Sequence, residues 1–296
     1  MRRCHAEIYA QLVKQCNQAL IVESLACASS FAVGFPDVSP EELAVDVATV
    51  KLALQMATKV PGSVHVMTNP QQAFSQKKLV QHGRRYHNLA GRLDPGFDRS
   101  RLVMKVAATW EGLQACRQLR DEGIKTLATT VFTIEQAILA GEVGCVSVSP
   151  FINELKALFD DTYEGSVPNP GLCAEAQRYY ERHALPTRVK ACANRTLAEV
   201  EQLVGIAAFT IAPDDLEALA RTGCSAEEEE PGSFDMGHAG ASGAGTYAAV
   251  YLDDEYKYRI DFSARDGGAG QHKLGQALSI FCDFQHKLEH MMRQHR

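Results

Sequence analysis

The sequence lacks most of the short signatures that would announce its chemistry. Its nine cysteines contain no Cys-x-x-Cys pair and no closely spaced set, and their number is odd. A disulfide framework is therefore not expected, and a reduced thiol set in the cytoplasm fits better. No Gly-x-Gly-x-x-Gly lies between a strand and a helix. Gly240, Gly243 and Gly245 fall instead in a stretch running from Glu227–Glu230 through Gly, Ala and Ser, the composition of a flexible linker. Positive charge is in deficit: 30 Lys and Arg against 36 Asp and Glu leave a net charge of -6. The basic residues are scattered, so a nucleic-acid partner is not expected. Long apolar runs are missing too. Residues 19–35 are broken by Glu23 and several serines, and neither a signal peptide nor a membrane span is expected. What remains is 296 residues, 46% hydrophobic and 22% charged, enough for an ordinary folded protein with a full core.

From about residue 60 to 222, short β-branched runs alternate with amphipathic stretches, the pattern of a parallel sheet wrapped by helices. The strands expected are Ser63–Met67, Leu102–Ala107, Lys125–Thr130, Cys145–Ser149, Thr187–Cys192 and Ala207–Ile211. Thr133 to Gln136 has the spacing of a capping box, in which hydroxyl and amide satisfy each other's orphan backbone donors. Gly123 and Gly144 stand just past helices, where a left-handed turn is wanted. The first 60 residues read as helices, including Glu41–Lys59, and Lys273–Arg296 reads as an amphipathic helix covering the sheet. The organisation expected is a (β/α) domain over 1–222 with a helical N-terminal segment, a flexible insert at 223–250 and a helical C-terminal segment at 251–296.

Within Leu102–Ala107 one lysine, Lys105, shares a face with Val103 and Ala107 by the period of two. In a barrel that face points inward. There burial favours the neutral amine, which attacks carbonyls. A lysine at a strand end, snorkelling to solvent or paired with a carboxylate, is the bland alternative.

Three motifs decide between them: Leu102-Val-Met-Lys-Val-Ala-Ala-Thr-Trp-Glu-Gly112-Leu, Glu122-Gly-Ile-Lys-Thr-Leu-Ala-Thr-Thr-Val-Phe132 and Val148-Ser-Pro-Phe151. In this order and spacing they resemble transaldolases, most closely a fungal transaldolase-like branch. The resemblance implies a (β/α)8 TIM barrel of the class I aldolase type. The implied reaction transfers a dihydroxyacetone unit from a ketose phosphate to an aldose phosphate in carbohydrate metabolism, the pentose phosphate pathway, through a lysine Schiff base. It implies a sugar phosphate as substrate, and neither metal nor organic cofactor. By the same resemblance Lys105 matches the Schiff-base lysine, Thr129 the threonine that positions the catalytic water, Ser149 a substrate contact and Arg195 a phosphate-binding arginine. His65 stands where the family carries a proton-shuttling glutamate. Asn69, just after that strand, lies where barrel loops carry substrate contacts.

The sequence also departs from the family. Glu154 occupies the place of a second phosphate arginine, and a carboxylate there would repel phosphate. About six strands are recognised where a closed barrel has eight, so the barrel is expected to be incomplete at its N-terminal side. Three alternatives follow: the first 60 residues hold unexpected strands, a second copy in a homodimer covers the gap, or the product is a shortened, non-catalytic one. Val64, Val66 and Phe209 are the interior residues expected to lose neighbours at the gap. A Schiff-base aldolase acting on another carbonyl is the remaining enzymatic alternative. His286 and His290, spaced to share a helix face, lack a third ligand nearby for zinc.

Overall fold

The computed structural model describes residues 17–160, 162–222 and 249–296. Helices α1 (Gln18–Phe31) and α2 (Pro40–Ala57) come first, and no strand precedes residue 64 among the described residues. The helices expected here are present over the described residues, and the alternative that this region hides barrel strands finds no support in them, because α2 has strong reasons to be a helix. Ser39 caps it by accepting from the Glu42 N–H, Pro40 stands in its first turn, and Glu41 and Glu42 complement the dipole.

Six parallel strands then follow in sequence order: β1 (Val64–Met67), β2 (Leu102–Ala107), β3 (Lys125–Val131), β4 (Ser147–Pro150), β5 (Arg188–Ala191) and β6 (Ala208–Phe209). They form a curled half-barrel flanked by helices, an incomplete (β/α)8 TIM barrel in which β1 and β6 are the edges. The crossovers run through α3 (Gln76–Leu93), α4 (Trp110–Asp121), α5 (Ile134–Glu142), α6 (Gly171–Arg182) and the short α7 (Leu197–Glu201), with α8 (Pro213–Thr222) after β6.

The period of two divides each strand between the concave face and the helices. Val64, Val66, Leu102, Met104, Val106, Ala128, Val148, Val189 and Ala191 join the apolar core under the helices, and Phe209 packs against it. Val64, Val66 and Phe209 are therefore not interior residues, contrary to expectation. His65 takes the concave face, so its neighbours on the strand must take the other.

Turn chemistry follows the sequence closely. Thr133 and Gln136 form the capping box, and Gly123 and Gly144 have φ of +76° and +82°. Gly112 is needed for a different reason. A Cβ there would stand 2.1 Å from the Ala107 carbonyl oxygen, because α4 starts immediately against the end of β2.

Beneath β1, a buried polar group ties α2 to α3. His82 Nε2 meets Asp46 at 2.9 Å, Arg85 Nε donates to Asp46 at 2.6 Å, and His82 Nδ1 accepts from the Asn69 N–H at 3.1 Å. Burial pushes the Asp46 carboxyl up, but the Arg85 charge and the hydrogen bonds from His82 and Arg85 prevail and hold its pKa below the ordinary value.

The insert expected at 223–250 falls outside the described residues as far as 248. Val250 and Tyr251 are described, and their N–H groups donate to the Glu142 carboxylate at 2.5 and 2.9 Å, fixing the returning chain to the end of α5. Helices α9 (Glu255–Ala264) and α10 (Ala269–Gln294) follow. Leu274, Ala277, Leu278, Phe281 and Leu288 bury one stripe of α10. That stripe packs against α2, β3 and the turns after β1 and β4.

Candidate active site

The concave face carries an unusual set of side chains. By register Lys105 lies between Met67 on β1 and Leu127 on β3, and Leu127 pairs with Ser147 and Ser147 with Arg188. Continuing this parity, the face holds His65, Val103, Lys105, Leu127, Thr129, Ser147, Ser149, Arg188 and Lys190. Not one of the inward positions on these strands is an Asp or Glu.

The side chains meet across the trough. Lys190 Nζ is 3.1 Å from His65 Nε2 although three strands separate β5 from β1 in the sheet. The lysine donates, so the imidazole accepts at Nε2 and carries its proton on Nδ1. Crowding by the surrounding wall, then the charges on Lys190 and Lys105, hold the His65 pKa far below its ordinary value, at about 3. The ring is still exposed along the open side of the trough. The Lys190 pKa is lowered likewise, by burial first and then by the Lys105 charge.

Lys105 itself is 9% exposed and Thr129 1%. Ser149 is fully buried, and its Oγ has no hydrogen-bond partner. A buried hydroxyl left unpaired costs roughly 1–3 kcal/mol, which a ligand group in the trough would relieve. Lys105, Thr129, Ser149 and His65 therefore share the concave face.

Two other candidates stand apart. Asn69 is buried, but its Oδ1 accepts from the Gln71 N–H, so it caps the turn Pro70–Gln72. Arg195 is exposed beyond β5, and its N–H donates to Glu199 at 2.6 Å. Glu154 is buried at the end of β4: its carboxylate accepts from the Tyr163 hydroxyl at 2.6 Å, the Ser166 N–H at 3.1 Å and Gln276 Nε2 at 3.2 Å. Burial would raise its pKa, but these hydrogen bonds outweigh that and hold it at about 2. The carboxylate is ionised and engaged with the protein, joining the β4 loop to α10.

Two residues were not anticipated from sequence as part of the site, although Gln136 was expected in a capping box. Lys190 is one. The other is Gln136, which accepts from the Phe132 and Thr133 N–H groups at 2.8 and 3.2 Å and donates to the Ala108 and Thr130 carbonyls at 2.8 and 3.2 Å. It holds the irregularity after Thr129, where the β3–β4 register shifts and Thr130 has a φ of +57°. Among the described residues no group of three or more His, Cys, Asp or Glu could hold a metal ion, and no helix is long and apolar enough to cross a membrane.

The chain as a whole is similar to known proteins. A family model described as transaldolase/fructose-6-phosphate aldolase matches residues 8–253. A protein named transaldolase from Alteromonas mediterranea is 26% identical over 258 residues, which is 85% of this chain and 76% of that one. Transaldolases of Shewanella baltica (strain OS155) and Shewanella sp. (strain W3-18-1) are 28% and 29% identical, covering 84% and 85% of this chain and 76% and 78% of their own length. Fold, match and relatives agree that this chain belongs to the transaldolase/fructose-6-phosphate aldolase family.

Proposed function

We propose that the protein is a transaldolase-type transferase that moves a ketose-derived unit through a Schiff base on Lys105. The observation that carries this reading is the position of Lys105, buried on the concave face of β2 among groups that include no carboxylate from the strands. An ammonium there faces the Lys190 charge, so conversion to a neutral imine precursor relieves repulsion. The neutral amine adds to the ketose C2 carbonyl, the carbinolamine expels water, and the iminium accepts the electron pair when the C3–C4 bond, one carbon removed, breaks as the C4 hydroxyl loses its proton and the C4 fragment leaves as an aldehyde. The enamine left behind attacks the acceptor aldehyde.

Thr129, on the neighbouring strand, is the residue to hold the water that is expelled and later returned. The Ser149 hydroxyl is free to bond a substrate hydroxyl or the carbinolamine oxygen. His65 is neutral at physiological pH and bonded to Lys190, so protons reach it through that ammonium. Arg195, exposed beyond β5, is the outer substrate contact, through a charge-assisted fork to phosphate.

Borohydride trapping with fructose 6-phosphate, followed by peptide mapping, tests the reading. The adduct is expected on Lys105 and absent in Lys105→Ala. Folded protein that binds donor but yields no adduct, or yields it on another lysine, would overturn the mechanism and favour a non-catalytic relative.

A further inference from the structure

Two amines and an imidazole share the concave face, and nothing on it neutralises them. The charged or titratable side chains that the strands turn inward are His65 from β1, Lys105 from β2, Lys125 at the exposed start of β3, and Arg188 and Lys190 from β5; β4 and β6 turn none. Just past β5 the Cys192 thiol donates to the Pro150 carbonyl at 3.3 Å. The charges that act on His65 are those of Lys190 and Lys105; Lys190 feels Lys105, with a smaller opposite pull from the Cys192 thiol. No carboxylate pairs with Lys190 among the described residues.

The two amines are not equivalent. Lys105 is 9% exposed, whereas Lys190 is half-buried, and burial penalises an ammonium more the deeper it lies. Lys190 Nζ also donates to His65 Nε2 at 3.1 Å. An acceptor held against an ammonium favours the charged form, and the same two lysines keep that imidazole neutral and able to accept. His65 is one strand over and two residues along from Lys105, an offset of about 8 Å between backbone positions, so the contact brings the Lys190 head group beside β2. Of two like charges this close, the one whose charged form is less supported gives up its proton first.

We propose that Lys190 is the fixed charge that activates Lys105: His65 keeps Lys190 as the ammonium, and its repulsion makes Lys105 the neutral amine of the pair. The catalytic consequence rests on the Schiff-base reading of Lys105. The Lys105 ammonium passes its proton to solvent water, and the lone pair so released adds to the ketose C2. Lys190 forms no bond to substrate. It is a positioning residue, acting through Lys105 alone.

Trace labelling with acetic anhydride tests the charge pairing without any substrate. Only the neutral amine attacks the reagent, forming an amide as acetate leaves, and peptide mass reads each lysine separately across a pH series. In the native protein Lys105 should label at lower pH than Lys190. A neighbouring like charge is worth about one pKa unit, or about tenfold in neutral amine. In Lys190→Met, labelling of Lys105 at pH 7 should therefore fall about tenfold and its profile should move to higher pH, whereas Lys190→Arg should keep the native profile. In His65→Leu, Lys190 loses its acceptor and should label at lower pH than before, narrowing the preference for Lys105. Thermal melts establish that the variants fold. Borohydride trapping with fructose 6-phosphate on the same proteins should slow about tenfold in Lys190→Met at pH 7 and recover at higher pH, which a packing defect would not do. A Lys105 profile indifferent to Lys190→Met, or Lys190 labelling first in the native protein, would overturn the proposal, and adduct on Lys105 would then leave the Schiff base standing. The expected shift with no adduct on Lys105 would uphold the charge pairing and overturn the Schiff base.

Discussion

Replacing Glu154 by glutamine removes one charge from the loop after β4 and changes almost nothing in volume. In the native protein the carboxylate accepts three hydrogen bonds, from Tyr163, Ser166 and Gln276. A glutamine offers one acceptor oxygen, and its amide turns a donor toward a donor. Hydrogen bonds to a charged group contribute roughly 1.5–3 kcal/mol. The linkage argument gives a similar figure. Against an ordinary pKa of 4.5 the native value is about 2, and at about 1.36 kcal/mol per unit that difference corresponds to about 3 kcal/mol at neutral pH. Because the folded pKa is depressed, this stability is fully present above 4.5 and is lost as the pH falls from 4.5 through about 2.

Urea titrations at a series of pH values, followed by circular dichroism, measure it. At pH near 7, Glu154→Gln should lower the midpoint without changing the slope, a loss of about 2–3 kcal/mol. The two proteins should converge as the pH approaches that of the folded carboxyl. Equal stability at neutral pH would refute the reasoning, and so would a difference that persists undiminished in acid, since the effect would then not come from the charge. The same variant tests whether the loop is held to α10 through Gln276, because hydrogen exchange there should quicken.

Gly112→Ala should destabilise by about 3 kcal/mol in urea titration, because its Cβ has to displace backbone at the end of β2 rather than a flexible side chain. Gln136→Ala takes a partner from four buried backbone groups, of which only the Ala108 carbonyl keeps another, the Tyr258 hydroxyl, and should cost about 3 kcal/mol, with slower Lys105 trapping as Thr129 loses its fixed position. Asp46→Asn takes one of two carboxylate partners from the buried Arg85, which keeps Glu42 at 2.7 Å, and should cost about 2–3 kcal/mol, read from the same titration. By ring-proton NMR, His65 should stay neutral well below its ordinary pKa, and Lys190→Met should move its titration upward by removing one of the charges that hold it down. Since that pKa is depressed, the His65 contribution to stability is present above 6.5 and is lost as the pH falls toward 3.

How much of this was legible beforehand depended on whether the signal was local. Strand positions, the Thr133–Gln136 box and the left-handed turns at Gly123 and Gly144 each follow from a few adjacent residues, and the structure has them within a residue or two. Lys105 was legible because it interrupts a six-residue run whose other members are apolar or small. Glu154 read as a repulsive charge facing phosphate, because a sequence shows the carboxylate but not Tyr163, Ser166 and Gln276 arriving from a loop and a helix more than a hundred residues apart. Its depressed pKa is a tertiary property, made by donors that only the folded chain brings together.

Lys190 is the instructive case, since its signal was present and short. In Thr187–Cys192 the period of two puts residues 188, 190 and 192 on one face, and the alternation Arg-Val-Lys-Ala already gives polar inward and apolar outward. What the strand alone does not give is which polar face meets which. That needs the register through β4 to β3 and β2, four parallel strands in order, before Lys190 and Lys105 are known to share a trough. Curvature then brings β5 back toward β1, and a contact between residues 65 and 190 is a consequence of closure and not of any local preference. The same reasoning explains why Val64 and Val66 were placed on the wrong side. Hydrophobicity alone does not distinguish a barrel interior from a helix-covered face, whereas one polar residue between them, once its own contact is known, fixes all three.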